Sequence, residues 1–374
     1  MSYTFGVGPE VVGGSGSLRE LGRWAARREV VRPLIITDPA LVEAGTAGAV
    51  QAVLPDAKVA ACVTGEPTAE MAASAADAAR SHRADLLIGL GGGSSIDTAK
   101  LAALLVAGNA SLAELARDWD RVTPPGVPLV AIPTTVGSGS EMTRGAVFKD
   151  RTTAKKVVII SDHLWPRLAV LDPELLTSVP RAVIVSTGCD ALTQGIEGAL
   201  SASSTAWTDA LHLHGISLIR SCLGRAISSA GDLEALGAMQ AAAAMIGAGL
   251  AFSGVGAVHA IANTVGGRFT IPHGVACGIL LMPVLRYTGK VVPGRFGPLA
   301  AALGTGGIGA ADAVIESVAA LLAEAGMDRR LSEFGVSEAD FPEIAAEASG
   351  HSDMATSPAH PDASTIEAML AEVL

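Results

Sequence analysis

An apolar run, Asp85-Leu86-Leu87-Ile88-Gly89-Leu90, passes directly into Gly91-Gly92-Gly93 and then into Ser94-Ser95-Ile96-Asp97-Thr98-Ala99-Lys100. A strand, a glycine turn and a helix start in this order leave few folds open. The apolar run reads as a buried strand, and Ser94 and Ser95 stand where helix caps belong. Glycines let the backbone approach a ligand closely. The first N–H groups and positive dipole end of the new helix favour a pyrophosphate. The plain alternative is an ordinary tight turn. Three glycines, two hydroxyls and an Asp at these offsets favour phosphate binding over it.

The same alternation organises the first half of the chain. Strands are expected at Pro33–Thr37, Lys58–Val63, Leu86–Leu90, Pro128–Pro133, Lys156–Ile160 and Leu168–Leu171, with helices over 40–54 and 68–81. Strands alternating with helices predict parallel βαβ units that bind ligands at strand carboxyl ends. After Pro180 the strand signal stops, and helical pattern runs almost to Leu374. The expected organisation is an α/β domain, residues 1–179, followed by an all-helical domain, residues 180–374, whose last helix spans 364–374.

Composition excludes several function classes. The 374 residues suffice for two domains, and with 49% hydrophobic and 17% charged residues the chain is globular. The net charge of −11, without a Lys/Arg-rich run, argues against nucleic acid or an anionic membrane as partner. Cys62, Cys189, Cys222 and Cys277 lie far apart, which suits a reducing compartment and neither a disulfide framework nor a thiolate zinc knuckle. The N-terminal residues carry no basic stretch followed by an apolar one, so no signal peptide is expected and the cytoplasm is the expected location. Residues 235–267 hold no charged side chain but are rich in Ala and Gly and interrupted by Ser253-Gly254-Val255-Gly256. They read as central bundle helices and not as a membrane span.

Asp38 directly follows the first clear strand. A carboxylate there accepts from an adenosine ribose and repels a 2′-phosphate, which favours NAD over NADP, unless Asp38 is merely a turn residue before Pro39. Pro133 to Thr143 forms a second hydroxyl- and glycine-rich turn, suited to phosphate or amide contacts or to a simple helix start. In the second half, Asp190 and Gln194 share one helix face, His259 and Asn263 share another, and His273 sits in the turn Ile271-Pro272-His273-Gly274. An Asp oxygen with two imidazoles suits Zn²⁺ or Fe²⁺. The other histidines, His82, His163, His212, His214, His351 and His360, read as core or surface residues.

These segments together resemble the iron-containing (group III) alcohol dehydrogenases, more distantly glycerol dehydrogenase and dehydroquinate synthase, and the resemblance covers nearly the whole chain. It implies an α/β nucleotide-binding domain and an all-α metal-binding domain, with hydride transfer in the cleft between them. It assigns NAD contacts to Asp38, Gly92, Gly93, Ser94, Asp97, Thr134, Thr135, Val147 and Lys156. It assigns the metal ligands to Asp190, position 194, His259 and His273, and catalysis to Asp190, His259, His273 and Asn263. The chain departs from the family at three places. Position 194, normally His, is Gln194, a weaker donor that makes zinc as plausible as iron. The His that commonly follows His259 by four residues, a candidate proton relay, is Asn263, which cannot titrate. Ala257 is smaller than the side chain often found there.

The implied activity is reduction of a small aldehyde or oxidation of a primary alcohol by an NAD(H)- and metal-dependent enzyme, in a homodimer or larger assembly. Arg144, Gly145, Phe252 and Arg268 are candidates for the substrate pocket. The arginines would suit an anionic aldehyde bearing a carboxylate or phosphonate, or else pair with protein carboxylates. Other readings are a dehydroquinate synthase-type lyase or cyclase that uses NAD transiently, a metal-free reductase of the maleylacetate reductase type, and a non-catalytic descendant.

Overall fold

The computed structural model describes residues 4–6, 8–108, 110–151, 155–306 and 309–374. The chain forms two compact units, residues 6–179 and residues 180–374 joined by the N-terminal stretch that ends at Phe5.

The first unit runs β1 (Glu10–Gly13), α1 (Leu18–Ala26), β2 (Pro33–Thr37), α2 (Pro39–Glu43), α3 (Thr46–Val53), β3 (Lys58–Ala61) and α4 (Ala69–His82). It continues through β4 (Leu86–Gly91), α5 (Gly93–Ala107), α6 (Leu112–Arg117), β5 (Leu129–Pro133), β6 (Gly145–Asp150), β7 (Lys155–Ile160) and β8 (Leu168–Leu171). Six strands form one sheet in the order β1-β8-β5-β4-β2-β3, and every pairing in it is parallel. The inner strands β2, β4, β5 and β8 are buried along their whole length because helices cover both faces. Successive side chains alternate between the two layers. Ile35, Ile88 and Val130 pack with Leu21 and Trp24, while Leu34, Leu87 and Leu129 pack with Ala75, Ala99 and Ala102.

Local chemistry corrects three expectations here. The helix expected over 40–54 is broken into α2 and α3 at Gly45, whose φ of 80° ends one helix and opens the next. Lys156–Ile160 lies outside the parallel sheet. The expected strand is there as β7, but it pairs antiparallel with β6, and neither β6 nor β1 is among the strands that the sequence predicts. Ala146 and Phe148 point inward from this hairpin while Val147 is 38% exposed, the alternation of a half-buried ribbon. Ser94 and Ser95 do not cap α5, which begins at Gly93 with Gly92 as its N-cap and no side chain bonded there.

The second unit is helical: α7 (Arg181–Leu200), α8 (Ala206–Ser228), α9 (Leu233–Ser253), α10 (Ala257–Arg268), α11 (His273–Val291), α12 (Phe296–Ala302), α13 (Ala310–Ala325), α14 (Phe341–Ser349) and α15 (Ala363–Glu372). α9 is long and apolar enough to cross a membrane by length and composition, but it packs against α7 and α8, with 56% of its most apolar window buried. His212 of α8 is fully buried, bonds Ser253 Oγ at 2.9 Å, and is pushed down to about 4 by burial. It is a core imidazole.

Candidate functional site

In a parallel sheet all carboxyl ends lie along one edge. Asp38, Gly91–Gly93 and Thr134–Thr135 follow β2, β4 and β5, three adjacent strands, so the three turns emerge side by side. The strand order also reverses between β2 and β4, the position where open α/β sheets leave a ligand crevice. The turns are locked together. Thr134 N–H donates to Gly91 O at 2.9 Å, and a Cβ on Gly93 would come within 2.9 Å of Ser138. Gly91 has a φ of 142°, and a side chain there would run into Ser95. The uncapped first turn of α5, fifteen residues long, fits an anion. Asp38 caps α2 through Oδ1, which accepts from Leu41 N–H at 2.9 Å.

Lys100 organises the second turn from inside. It is fully buried, and its Nζ donates to Ser140 O (2.8 Å), Thr143 O and Oγ1 (3.0 Å each) and Gly145 O (2.7 Å). Burial pushes its ammonium down to about 8 against the pull of Asp97 and Glu141. Asp97 braces the same turn. One carboxylate oxygen accepts from Ser140 Oγ and the other from Val147 N–H at 2.9 Å, so it ties α5 to the turn and to β6. Lys156 pairs with Glu66 at 2.7 Å. Glu141 is pushed up to about 7, mainly by burial, and its Oε2 finds no hydrogen-bond partner among the described residues.

The helical unit gathers a second group of residues. Asp190 on α7, His259 on α10, and His273 and Cys277 on α11 each place one ligand atom within 4.8 Å of all the others. His273 does not sit in a turn, as expected, but is the first residue of α11. Gly274 lets this first turn rest on α7, since a Cβ there would overlap the Ser186 carbonyl. His259 Nε2 and His273 Nε2 lie 3.5 and 3.7 Å from Asp190 Oδ1. The His259 ring is held from behind, its Nδ1 2.5 Å from Glu197 Oε2, while Glu197 Oε1 accepts from Val258 N–H at 2.6 Å. Glu197 thus sits at the N-terminus of α10, where a carboxylate is favoured, and turns Nε2 of His259 toward the cluster. Burial lowers the His259 imidazole, but Cys277, Asp190 and Glu197 together hold it well above its ordinary value.

The donors fit a metal. Bond lengths for tetrahedral zinc put adjacent nitrogen and oxygen ligands about 3.4 Å apart and nitrogen and sulfur about 3.6 Å apart. Both Asp190–imidazole separations are close to the first value. Gln194, one turn along α7 from Asp190, is 6% exposed, and its Oε1 has no hydrogen-bond partner among the described residues. Glu197 and Cys277 escaped the sequence reading, though their spacing carries a signal. Asp190, Gln194 and Glu197 fall at i, i+4 and i+7, and His273 and Cys277 at i and i+4.

The remaining candidates are placed differently. Asn263 Nδ2 donates to Asp353 Oδ2 at 3.0 Å, and His351 Nδ1 lies 3.3 Å from the same oxygen. Arg144 pairs with Asp162 at 2.9 Å, and Arg268 with Glu343 at 2.7 Å and Glu347 at 2.6 Å. Both arginines pair with protein carboxylates, the second of the two roles that the sequence leaves open for them. The Gly145 carbonyl is taken by Lys100, and Phe252 packs against Phe5, ring centres 4.8 Å apart.

Residues 8–173 match the family described as iron-containing alcohol dehydrogenase, and residues 184–374 match its C-terminal domain. Lactaldehyde reductase of Escherichia coli is 33% identical over 344 residues, covering 89% of each chain. The crystal structure of a 1,3-propanediol oxidoreductase superposes with a TM-score of 0.95 at 28% identity over all of both chains. Sulfoacetaldehyde reductase from Bifidobacterium kashiwanohense, solved with NAD⁺, gives 0.92 at 25% identity, covering 100% of this chain and 99% of that one. The chain belongs to the iron-containing alcohol dehydrogenase family and is an oxidoreductase acting on CH–OH donors.

Proposed function

We propose that this chain is an NAD(H)-dependent reductase of a small, uncharged aldehyde, with the corresponding primary alcohol as reverse substrate. The observation that carries this reading is the convergence of Asp190, His259 and His273 on one point, with His259 backed by Glu197. Asp190, His259 and His273 would hold a divalent cation there, which would supply Lewis-acid polarisation of a carbonyl oxygen, and a nicotinamide bound at the α/β unit would supply the hydride. Asp190, His259 and His273 are the ligands, and Glu197 positions His259 by fixing its tautomer. The α5 N-terminus with Gly92, Gly93 and Ser94 holds the pyrophosphate, and Thr134 and Thr135 border the same crevice. Asp38 faces the adenosine ribose and disfavours NADP. Val147 and Lys156 remain weaker candidates, since Asp97 and Glu66 already bind them. Asn263 supplies no proton; its amide is oriented by Asp353, so the proton reaching product oxygen comes from solvent or the ribose hydroxyls. The commitment of Arg144 and Arg268 to carboxylates supports a neutral substrate over an anionic one. A homodimer or larger assembly in a reducing cytoplasm completes the reading, in keeping with four free cysteines; light scattering tests the assembly.

The decisive experiment is chelation. Stripping metal abolishes NADH-dependent turnover of a neutral short aldehyde, and Zn²⁺ or Fe²⁺ restores it. His259→Ala loses far more activity than His214→Ala. Full activity after rigorous stripping, or a kcat/KM higher for carboxylated or phosphonated aldehydes than for neutral ones, overturns the corresponding part of the proposal.

A further inference from the structure

We propose that Cys277 is itself a metal ligand, the fourth protein donor beside Asp190, His259 and His273, and that its sulfur tunes the site toward zinc. The inference rests on the metal reading above but concerns a residue to which nothing else assigns a role. Three of the helices present donors as pairs spaced i, i+4: Asp190/Gln194, His259/Asn263 and His273/Cys277. The first member of each pair enters the cluster. Of the second members, Asn263 is turned to Asp353, and Cys277 is turned to the imidazoles.

Cys277 Sγ lies 3.9 Å from His259 Nε2 and 3.7 Å from His273 Nε2. These separations are near the roughly 3.6 Å that nitrogen and sulfur keep on one tetrahedral zinc. They are too long for strong hydrogen bonds to the rings. The sulfur is completely buried, on the same helix face as His273 and one turn further along, so both donors move with one rigid element.

Charge favours the thiolate over the Gln194 amide. A dication buried with Asp190 and neutral donors keeps a net positive charge out of water, which is costly. With Asp190 and a Cys277 thiolate the charges cancel. The thiol proton is released to solvent as the metal–sulfur bond forms, so the exchange of proton for cation balances. A soft sulfur donor in a Cys/His/His/Asp set favours zinc, whereas carboxylate and imidazole alone leave iron equally acceptable.

The test uses the full chain, stripped of metal and reloaded with Co²⁺ or Zn²⁺. Cobalt-loaded protein is expected to show a sulfur-to-cobalt charge-transfer band in the near ultraviolet. Zinc-loaded protein should show a sulfur neighbour at about 2.3 Å by X-ray absorption. Both signals vanish in Cys277→Ser and persist in Gln194→Ala and in Cys189→Ser. The preference for Zn²⁺ over Fe²⁺ in competition falls by at least about tenfold in Cys277→Ser. One equivalent of cobalt bound by the unmodified chain without a charge-transfer band refutes Cys277 as ligand and leaves the metal reading intact. Failure of the unmodified chain to bind cobalt or zinc at all overturns both.

Discussion

Replacing Glu197 by Gln removes one negative charge at almost no change in volume, and the surroundings dictate the consequence. Oε2 faces His259 Nδ1 at 2.5 Å, and Oε1 accepts from Val258 N–H at 2.6 Å. Both neighbours are donors when Nε2 is free to bind a metal, so the position requires two acceptor oxygens. A glutamine has one. Its amide NH₂ must face either Val258 N–H, a buried clash of donors, or His259 Nδ1. The imidazole accepts at Nδ1 only by moving its proton to Nε2, which then points at Asp190 Oδ1 and away from metal binding. Outer partners of ligating imidazoles are worth about 10–100-fold in metal affinity, roughly 1.4–2.7 kcal/mol. The Kd for Zn²⁺, read by competition with a chromophoric chelator, is therefore expected to rise by that factor in Glu197→Gln. NADH binding, read by its fluorescence, is expected to stay unchanged. An unaltered zinc Kd in a variant with native far-ultraviolet circular dichroism would refute the assignment of Glu197 as the residue that sets the His259 tautomer.

Other consequences follow from the α/β unit. Lys100→Met strands the carbonyls of Ser140, Thr143 and Gly145 and leaves Asp97 and Glu141 without a buried cation. It should cost about 3–5 kcal/mol of stability, followed in urea by the fluorescence of Trp24, Trp119 and Trp165, and should weaken NADH binding. A loss below about 1 kcal/mol contradicts the structural role. Asp38→Ser should raise the NADPH/NADH ratio of kcat/KM by about tenfold or more, and no change removes Asp38 from cofactor choice. Glu141, held near 7 in the folded chain against 4.5 in its free state, binds more protons folded than unfolded between these values. Its stabilising contribution is complete below pH 4.5 and lost as pH rises to 7. The stability difference between the unmodified chain and Glu141→Gln should decline by on the order of 1 kcal/mol per pH unit across that window, measured as urea midpoints at pH 5 and 7.

Much of the α/β unit was legible in the chain because its signals are local. The run Leu86–Leu90 is a buried strand and a glycine turn ends it, as its composition predicts. The hairpin of β6 and β7 was not legible as such. Lys155–Ile160 has the composition of a strand in any sheet, and only its partner decides whether that sheet is parallel. The pairing of Arg144 and Arg268 with carboxylates was hidden for a related reason. Asp162, Glu343 and Glu347 are 18, 75 and 79 positions away from the arginines they neutralise, separations read directly from their numbering.

The metal cluster divides along the same line. Residue type and i, i+4 spacing determined that Asp190 and His259 stand on helix faces with donor atoms to offer, because helical periodicity is a property of the chain itself, whereas His273 reads as a turn residue and only the structure puts it on a helix. Gln194, Asn263 and Cys277 have the same spacing from those three residues, and nothing local distinguishes them. The packing of α7, α10 and α11 decided that Cys277 looks into the cluster, that Asn263 looks toward Asp353, and that Glu197 stands behind His259. Those directions depend on how helices pack and on which glycines let them approach, and they exist only once the helices have met.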